Sequence, residues 1–277
     1  MLEILIAKSA GFCFGVKRAT QMAFDAADNY TSLQSLGPLI HSPQMVKKLE
    51  DRGIRVCQQV NEADGEAIVV RSHGVTAEEF AALKGCGKVI VDATCPFVTK
   101  AQKYAKDLSD AGYLLVLVGE AHHPEVQGIV SYAAGEVMVV ASPEEAAELP
   151  KNRKIGIIAQ TTQSIENFRK IVGVCMEKTR HLKIYNTICD ATSVRQEEAV
   201  AIAAQVDLML VVGGYNSANT TRLAGLCREQ GTPTYHVETA SAIDPLWFEG
   251  VKKVGLTAGA STPQFLIDEI TATLSRF

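Results

Sequence analysis

Short runs of Val, Ile and Leu alternate along the chain with longer amphipathic stretches, the rhythm of βαβ units around parallel sheet. The apolar runs predict strands over Ala67–Arg71, Lys88–Asp92, Tyr113–Gly119, Val137–Ala141, Lys154–Ala159, Leu208–Gly213 and Lys253–Thr257. The amphipathic stretches predict helices over Val16–Ala27, Gln44–Asp51, Ala77–Lys84, Val98–Asp110, Val126–Ala133, Ile165–Thr179, Gln196–Ala204, Thr220–Glu229 and Pro263–Ser275. Three extended apolar segments, Leu2–Ala7, Lys88–Thr94 and Lys183–Ile188, each lead into a cysteine and then a helix-like stretch. Those cysteines are Cys13, Cys95 and Cys189, spaced by about one small α/β unit. No low-complexity linker interrupts the chain.

The polar loops repeat with the strands. Val116–Glu125 lies over Leu210–Asn219, and Gly37–Gln44 shares with the first of these a His-x-Pro entry to its helix. A second set overlays Ile68–Thr76, Gly156–Ser164 and Val254–Thr262. Each copy offers a hydroxyl as helix N-cap: Thr76 with Glu79 as a capping box, Ser164, and Thr262 followed by Pro263 at the first helical position. Asp-Ala-Thr stands beside Cys95 and again beside Cys189. Each third of the chain thus carries one cysteine loop and two polar strand-to-helix loops. In parallel sheets such loops, beyond the carboxyl ends of strands, are where ligands bind. If the three units face one another, the three thiols converge.

Composition narrows the chemistry. The 277 residues, 47% apolar and 21% charged, are those of an ordinary globular protein of two or three domains. A net charge of −4 argues against a broad nucleic-acid surface but not against a small anion held at helix N-termini. No apolar run approaches the roughly 20 residues that cross a bilayer, and Met1–Ile6 is too short and lacks the basic flank of a secretory signal. A cytoplasmic protein is expected. Seven cysteines in a reducing compartment point away from a disulfide framework, and Cys57, Cys86, Cys175 and Cys227, which lack the shared loop context, read as plain thiols.

Three convergent thiolates suit neither a four-ligand structural zinc nor a fully ligated 4Fe–4S cluster. They leave open a catalytic zinc with three cysteine ligands, the less usual case, or a cluster with one open iron. His41, His73 and His123 lie in strand-to-helix loops with few lysines nearby, and neutral imidazoles and hydroxyls at helix starts can bind phosphate oxygens. Thr161, Ser217, Asn219 and Ser261 fit the same role. His122 competes with His123, because it aligns better with His41. Glu125 is the one carboxylate in this set of loops; it reads either as a first-turn acid complementing the helix dipole or as a general acid. No G-x-G-x-x-G or Walker motif is present.

These motifs resemble the IspH (LytB) family, 4-hydroxy-3-methylbut-2-enyl diphosphate reductases of the methylerythritol phosphate route to isoprenoids. The resemblance rests on Gly11–Val16, Arg71–Val75, Asp92–Lys100, His123–Val126, Gln160–Thr162, Cys189–Thr192, Asn216–Asn219 and Thr257–Ser261, in family order over nearly the whole chain. It implies three similar parallel-sheet α/β domains in a pseudo-threefold trefoil around a central iron–sulfur site. Their expected bounds are 14–95, 96–187, and 188–277 completed by the N-terminal strand 1–13. It further implies one 4Fe–4S cluster on Cys13, Cys95 and Cys189, with the fourth iron open. A substrate diphosphate would lie among His41, His73, His123, Ser217, Asn219 and Ser261. Thr161 would stand near the reacting hydroxyl, Glu125 would relay protons, and a low-potential donor such as ferredoxin or flavodoxin would supply electrons. Two departures stand out: Ser217-Ala218-Asn219 where the family has Ser-Ser-Asn, and Ser42-Pro43 after His41 where it has Asn. The first removes a hydroxyl, leaving the backbone amide of Ala218. The competing readings are a quinolinate-synthase-like three-domain dehydratase, which needs no external electrons, and a non-enzymatic iron–sulfur carrier.

Overall fold

The computed structural model describes residues 2–277. Among them, in chain order, run β1 (Glu3–Ile6), α1 (Phe14–Asn29), β2 (Leu33–Leu36), α2 (Pro43–Asp51), β3 (Ile54–Cys57), β4 (Ala67–Val70), α3 (Ala77–Gly85), β5 (Val89–Asp92) and α4 (Pro96–Asp110). They are followed by β6 (Leu114–Val118), α5 (Pro124–Val130), β7 (Val137–Val140), α6 (Pro143–Ala147), β8 (Lys154–Ala159), α7 (Ile165–Met176), β9 (His181–Ile184) and α8 (Asp190–Ala203). The last part holds β10 (Leu208–Val212), α9 (Ala218–Glu229), β11 (Thr234–Val237), β12 (Lys253–Ala258) and α10 (Gln264–Leu274). The strands form three four-stranded sheets, ordered β3-β2-β4-β5, β7-β6-β8-β9 and β11-β10-β12-β1, and every pairing is parallel. The three orders are equivalent, with the N-terminal strand taking the fourth place in the third sheet. The α/β class and the internal repeat read from the sequence are both present.

The chain divides into two compact units. One comprises Met1–Lys17, Ile40–Lys47 and Asp190–Phe277 and holds the sheet of β1, β10, β11 and β12. Both faces of that sheet are covered. Leu208, Leu210, Val212, Val254, Leu256 and the α10 residues Ile267 and Ile270 form one core layer. Met209, Val211 and the α8 and α9 residues Ala199, Ile202, Leu223 and Cys227 form the other. Every residue of β10 is therefore buried, which explains its continuous apolar run.

The other unit, Arg18–Leu39 and Lys48–Cys189, holds the remaining two sheets. The sheet centred on β6 and β8 is again covered twice, by α6 and α7 through Ala146, Phe168 and Ile171 and by α4 and α5 through Leu108, Val126 and Ile129. In the sheet centred on β2 and β4, Leu36, Ile68 and Val70 pack with Val75 and Leu83 of α3 and the loop before it. The edge strands β5 and β9 are only partly buried.

Several boundaries differ from those expected, each for a local reason. Strands β2, β3 and β11 were not foreseen. β2 reads Leu-Gln-Ser-Leu yet is wholly buried, because Gln34 Oε1 accepts from the amides of Asp64 and Gly65 and Ser35 Oγ donates to the Gly37 carbonyl. The extended segment before Cys189 is regular strand only over His181–Ile184. Beyond it the Thr187 hydroxyl takes over the ladder, accepting from Ala159 N and donating to Ala159 O. Helix α8 starts at Asp190 instead of Gln196, and α6 was not assigned as a helix. Thr76 with Glu79 and Ser164 cap their helices as expected. Thr262 does not: its hydroxyl donates to the Val212 carbonyl, and Pro263 takes the cap position of α10.

A tight fit on β8 supplies a stability test. A Cβ at Gly156 would meet Leu108 Cδ2 and Cδ1 of α4 at 2.8 and 2.9 Å, and Leu108 is fully buried. Gly156→Ala should cost about 1–3 kcal/mol by overpacking. Urea unfolding reads this out; an unchanged midpoint would show that α4 shifts freely on the sheet.

Candidate active site

Parallel pairing brings every strand-to-helix loop of a sheet to one edge, and the candidate residues lie in those loops. The cysteines share a further feature. Cys13, Cys95 and Cys189 follow β1, β5 and β9, the edge strand of each sheet, and immediately precede α1, α4 and α8. All three are partly exposed, as is Cys86, whereas Cys57, Cys175 and Cys227 are buried.

The unit containing Cys95 and Cys189 holds six of the candidates. Glu125, in the first turn of α5, is 3% exposed. Its Oε1 accepts from the Thr161 amide at 2.7 Å and its Oε2 from the Thr161 hydroxyl at 2.9 Å. The Cys189 amide in turn donates to the Thr161 carbonyl at 3.0 Å. A continuous set of bonds therefore runs from Glu125 through Thr161 to the loop of Cys189. His123 caps α5: its Nδ1 accepts from the Glu125 amide at 3.1 Å. That bond requires a lone pair on Nδ1, so a neutral His123 carries its proton on Nε2 and presents a donor there. The rings of His73 and His123 meet edge to face with centroids 5.7 Å apart. Of the two histidines left open by the sequence, His122 is exposed and His123 is the one built into the loop as the cap of α5. Ser72, beside His73, accepts the Cys95 amide on its carbonyl at 3.0 Å.

The other unit holds Cys13, His41, Ser217, Asn219 and Ser261. Cys13 donates its amide to Ala260 O at 3.1 Å, and Ser261 Oγ donates to His41 O at 3.0 Å. The loop after β12 thus touches both the cysteine loop and the His41 loop. Ser217 caps α9, its hydroxyl accepting from the Thr220 amide. Asn219 is 4% exposed, and neither its amide nitrogen nor its oxygen has a protein partner. Buried polar atoms are nearly always hydrogen-bonded, so this amide is available to a ligand or an ordered water. Sequence reasoning selected Asn219 by its motif; the unmet hydrogen bonds are visible only in three dimensions.

The three thiols fit an iron–sulfur centre in donor chemistry. Each stands at a helix start, where amide N–H groups favour negative charge, and Val16 N approaches Cys13 Sγ at 3.5 Å. Among the described residues, no group of three or more His, Cys, Asp or Glu side chains could hold a single metal ion.

Relationships to known proteins agree with this layout. Residues 4–275 match the family model described as LytB protein. The chain belongs to the LytB family. A 4-hydroxy-3-methylbut-2-enyl diphosphate reductase of Geobacter metallireducens is 60% identical over 97% of this chain and 95% of its own length. One of Syntrophotalea carbinolica is 58% identical over 99% of both. A solved structure described as (E)-4-hydroxy-3-methyl-but-2-enyl diphosphate reductase, the terminal enzyme of the non-mevalonate pathway, is 42% identical with a TM-score of 0.72, covering all of both chains. The Plasmodium falciparum E-1-hydroxy-2-methyl-but-2-enyl-4-diphosphate reductase is 27% identical with a TM-score of 0.94, over 99% of this chain and 88% of that one. These relationships favour a reductase over a quinolinate-synthase-like dehydratase. No helix among the described residues is long and apolar enough to cross a membrane.

Burial ranks the thiols for a chemical test. Desolvation raises the pKa of Cys57 and Cys175 and pushes Cys227 up to about 11, so these remain protonated and shielded at mildly alkaline pH. In the metal-free protein, iodoacetamide should label the partly exposed Cys13, Cys86, Cys95 and Cys189 first and Cys227 only on unfolding. Peptide mapping gives the order, and early labelling of Cys227 would contradict the packing of α9 on α8.

Proposed function

We propose that this LytB-family chain reduces 4-hydroxy-3-methylbut-2-enyl diphosphate to isopentenyl and dimethylallyl diphosphate. Two electrons and two protons enter, the allylic C–O bond breaks, and the hydroxyl leaves as water. The observation that carries this reading is the buried Glu125 carboxylate engaged at both oxygens by one residue, Thr161.

The residues divide the work. Cys13, Cys95 and Cys189 are the ligands of one 4Fe–4S cluster, each just beyond an edge strand of one of the three sheets, and the chain forms three domains, 14–95, 96–187 and 188–277 with 1–13. Bound there, the cluster would supply the electrons and a Lewis-acidic open iron. His41, His73, His123, Ser217, Asn219 and Ser261 bind the diphosphate through neutral donors. The unpartnered amide of Asn219 and the Nε2 proton of His123 support this assignment.

Glu125 is the proton source and Thr161 the relay. A hydroxyl both accepts and donates, so Thr161 Oγ1 can take a proton from Glu125 on one side and pass its own to the departing oxygen on the other. Burial of the carboxyl keeps bulk water from short-circuiting that transfer. A low-potential donor of the ferredoxin or flavodoxin type completes the reaction, which belongs in the cytoplasm.

Glu125→Gln keeps the size and one acceptor of the side chain but removes the transferable proton. Turnover with a chemical reductant should fall about 10²- to 10⁴-fold while iron content and thermal midpoint stay at wild-type values. Unchanged turnover removes Glu125 from the relay. In parallel, Cys95→Ser should lose bound iron, and a full iron complement would sink the ligand assignment.

A further inference from the structure

The loop that carries Cys13 is held from one side by two residues a single turn apart on α8. Arg195 is 3% exposed, and its Nη2 donates to Ser9 O at 2.6 Å and Gly11 O at 2.7 Å, while Nη1 donates to Ala191 O of its own helix at 3.1 Å. Glu198 accepts the amides of Lys8 and Ser9, each at 2.8 Å, and the Ser9 hydroxyl. Although burial opposes it, these bonds from Ser9 and Lys8 hold the Glu198 carboxyl below its ordinary range, so it accepts as the carboxylate. Gly11 contributes the sharp bend, with φ at +96°, a conformation that side-chain-bearing residues rarely adopt.

A related contact holds the Cys95 loop. Arg18 of α1 donates from Nη1 to the carbonyl of Thr94, the residue before Cys95, at 3.1 Å. In both cases the guanidinium comes from the helix that begins directly after a different candidate ligand: α8 follows Cys189, and α1 follows Cys13. A carbonyl that accepts from a buried guanidinium is fixed more firmly than one left to water, because the charge-assisted bond is stronger and its planar fork sets direction.

We propose that Arg195, Glu198 and Arg18 are positioning residues that pre-set the Cys13 and Cys95 loops to receive the cluster. The inference rests on the reading of Cys13 and Cys95 as ligands. Apart from loading, the consequence is that the metal-free protein already presents these loops in their working shape, and that iron is retained because the thiolates cannot swing away singly. Residues that orient metal ligands are worth about 10- to 100-fold in affinity or activity when removed.

Two readouts separate the possibilities, using Arg195→Met, Glu198→Ala and Arg18→Met in the full chain. Hydrogen exchange of the metal-free protein should show the Lys8 and Ser9 amides losing protection in Glu198→Ala while far-UV circular dichroism is unchanged. In the reconstituted holoenzyme, release of iron to a chelator should accelerate about 10- to 100-fold in each variant, with Glu198→Gln, which keeps one acceptor oxygen, lying between Ala and wild type. The electron paramagnetic resonance signal should broaden in the same order. Wild-type release in Glu198→Ala and Arg18→Met, both folded, overturns the proposal even if Arg195→Met fails to fold. If Cys13→Ser itself keeps a full iron complement, the ligand reading has failed instead.

Discussion

Every strand in each sheet runs the same way as its neighbours, and this one constraint places the functional residues. A parallel strand cannot be followed by a tight hairpin; the chain must leave at the carboxyl end, cross by a helix and re-enter at the amino end. Each of the strand-to-helix loops is therefore delivered to the same edge of its sheet, next to a helix N-terminus. Glu125 meets Thr161 because β6 and β8 are paired in register, Val118 opposite Ala159, so the residues a few steps past those positions emerge side by side. The Ser261 hydroxyl reaches the His41 carbonyl across a comparable distance from the end of β12.

The edge position of β1, β5 and β9 has its own logic. A central strand such as β10 is buried along its whole length, and its loop is crowded by neighbours on both sides. An edge strand has one open flank, so the loop after it leaves a partly exposed thiol that a large inorganic group can reach. The cost is looseness, since an edge loop has fewer ladder bonds to hold it. Side-chain clamps make up the deficit: Thr187 beside Ala159 ahead of Cys189, Arg18 on Thr94 ahead of Cys95, and Arg195 with Glu198 ahead of Cys13.

Much of this was readable before any coordinates. Continuous apolar runs marked β4, β6, β8, β10 and β12, since a strand covered on both faces has no polar side to disguise it. The loops were legible because their residue types recur in register. What stayed hidden are the elements where tertiary contacts override local pattern. β2 buries Gln34 and Ser35 because loop amides and a carbonyl satisfy them, and nothing in Leu-Gln-Ser-Leu announces those partners. Thr262 looked like a cap and instead bonds a neighbouring strand's carbonyl. The first two turns of α8 are largely polar in sequence, yet Thr192 and Arg195 are buried. Arg195 was passed over for the same reason: its partners lie about 185 positions away, beyond any periodicity, and only folding shows what a buried guanidinium is for.

The acidic balance of the chain and an anionic substrate are compatible on physical grounds. A lysine-lined pocket would bind diphosphate by bare charge and would also hold the product, which carries the same diphosphate. Neutral donors at helix starts bind by direction instead, and each satisfies one oxygen without adding net charge beside a group that must receive electrons. On the proposed reading, the Nε2 proton of His123, set by the bond its Nδ1 accepts, and the Asn219 amide serve as such donors. Glu125 is, on that reading, the acid held against Thr161, and its burial sets it apart from the exposed carboxylates. On the same reading, discrimination between substrate and product falls to the one group they do not share, the hydroxyl set beside Thr161.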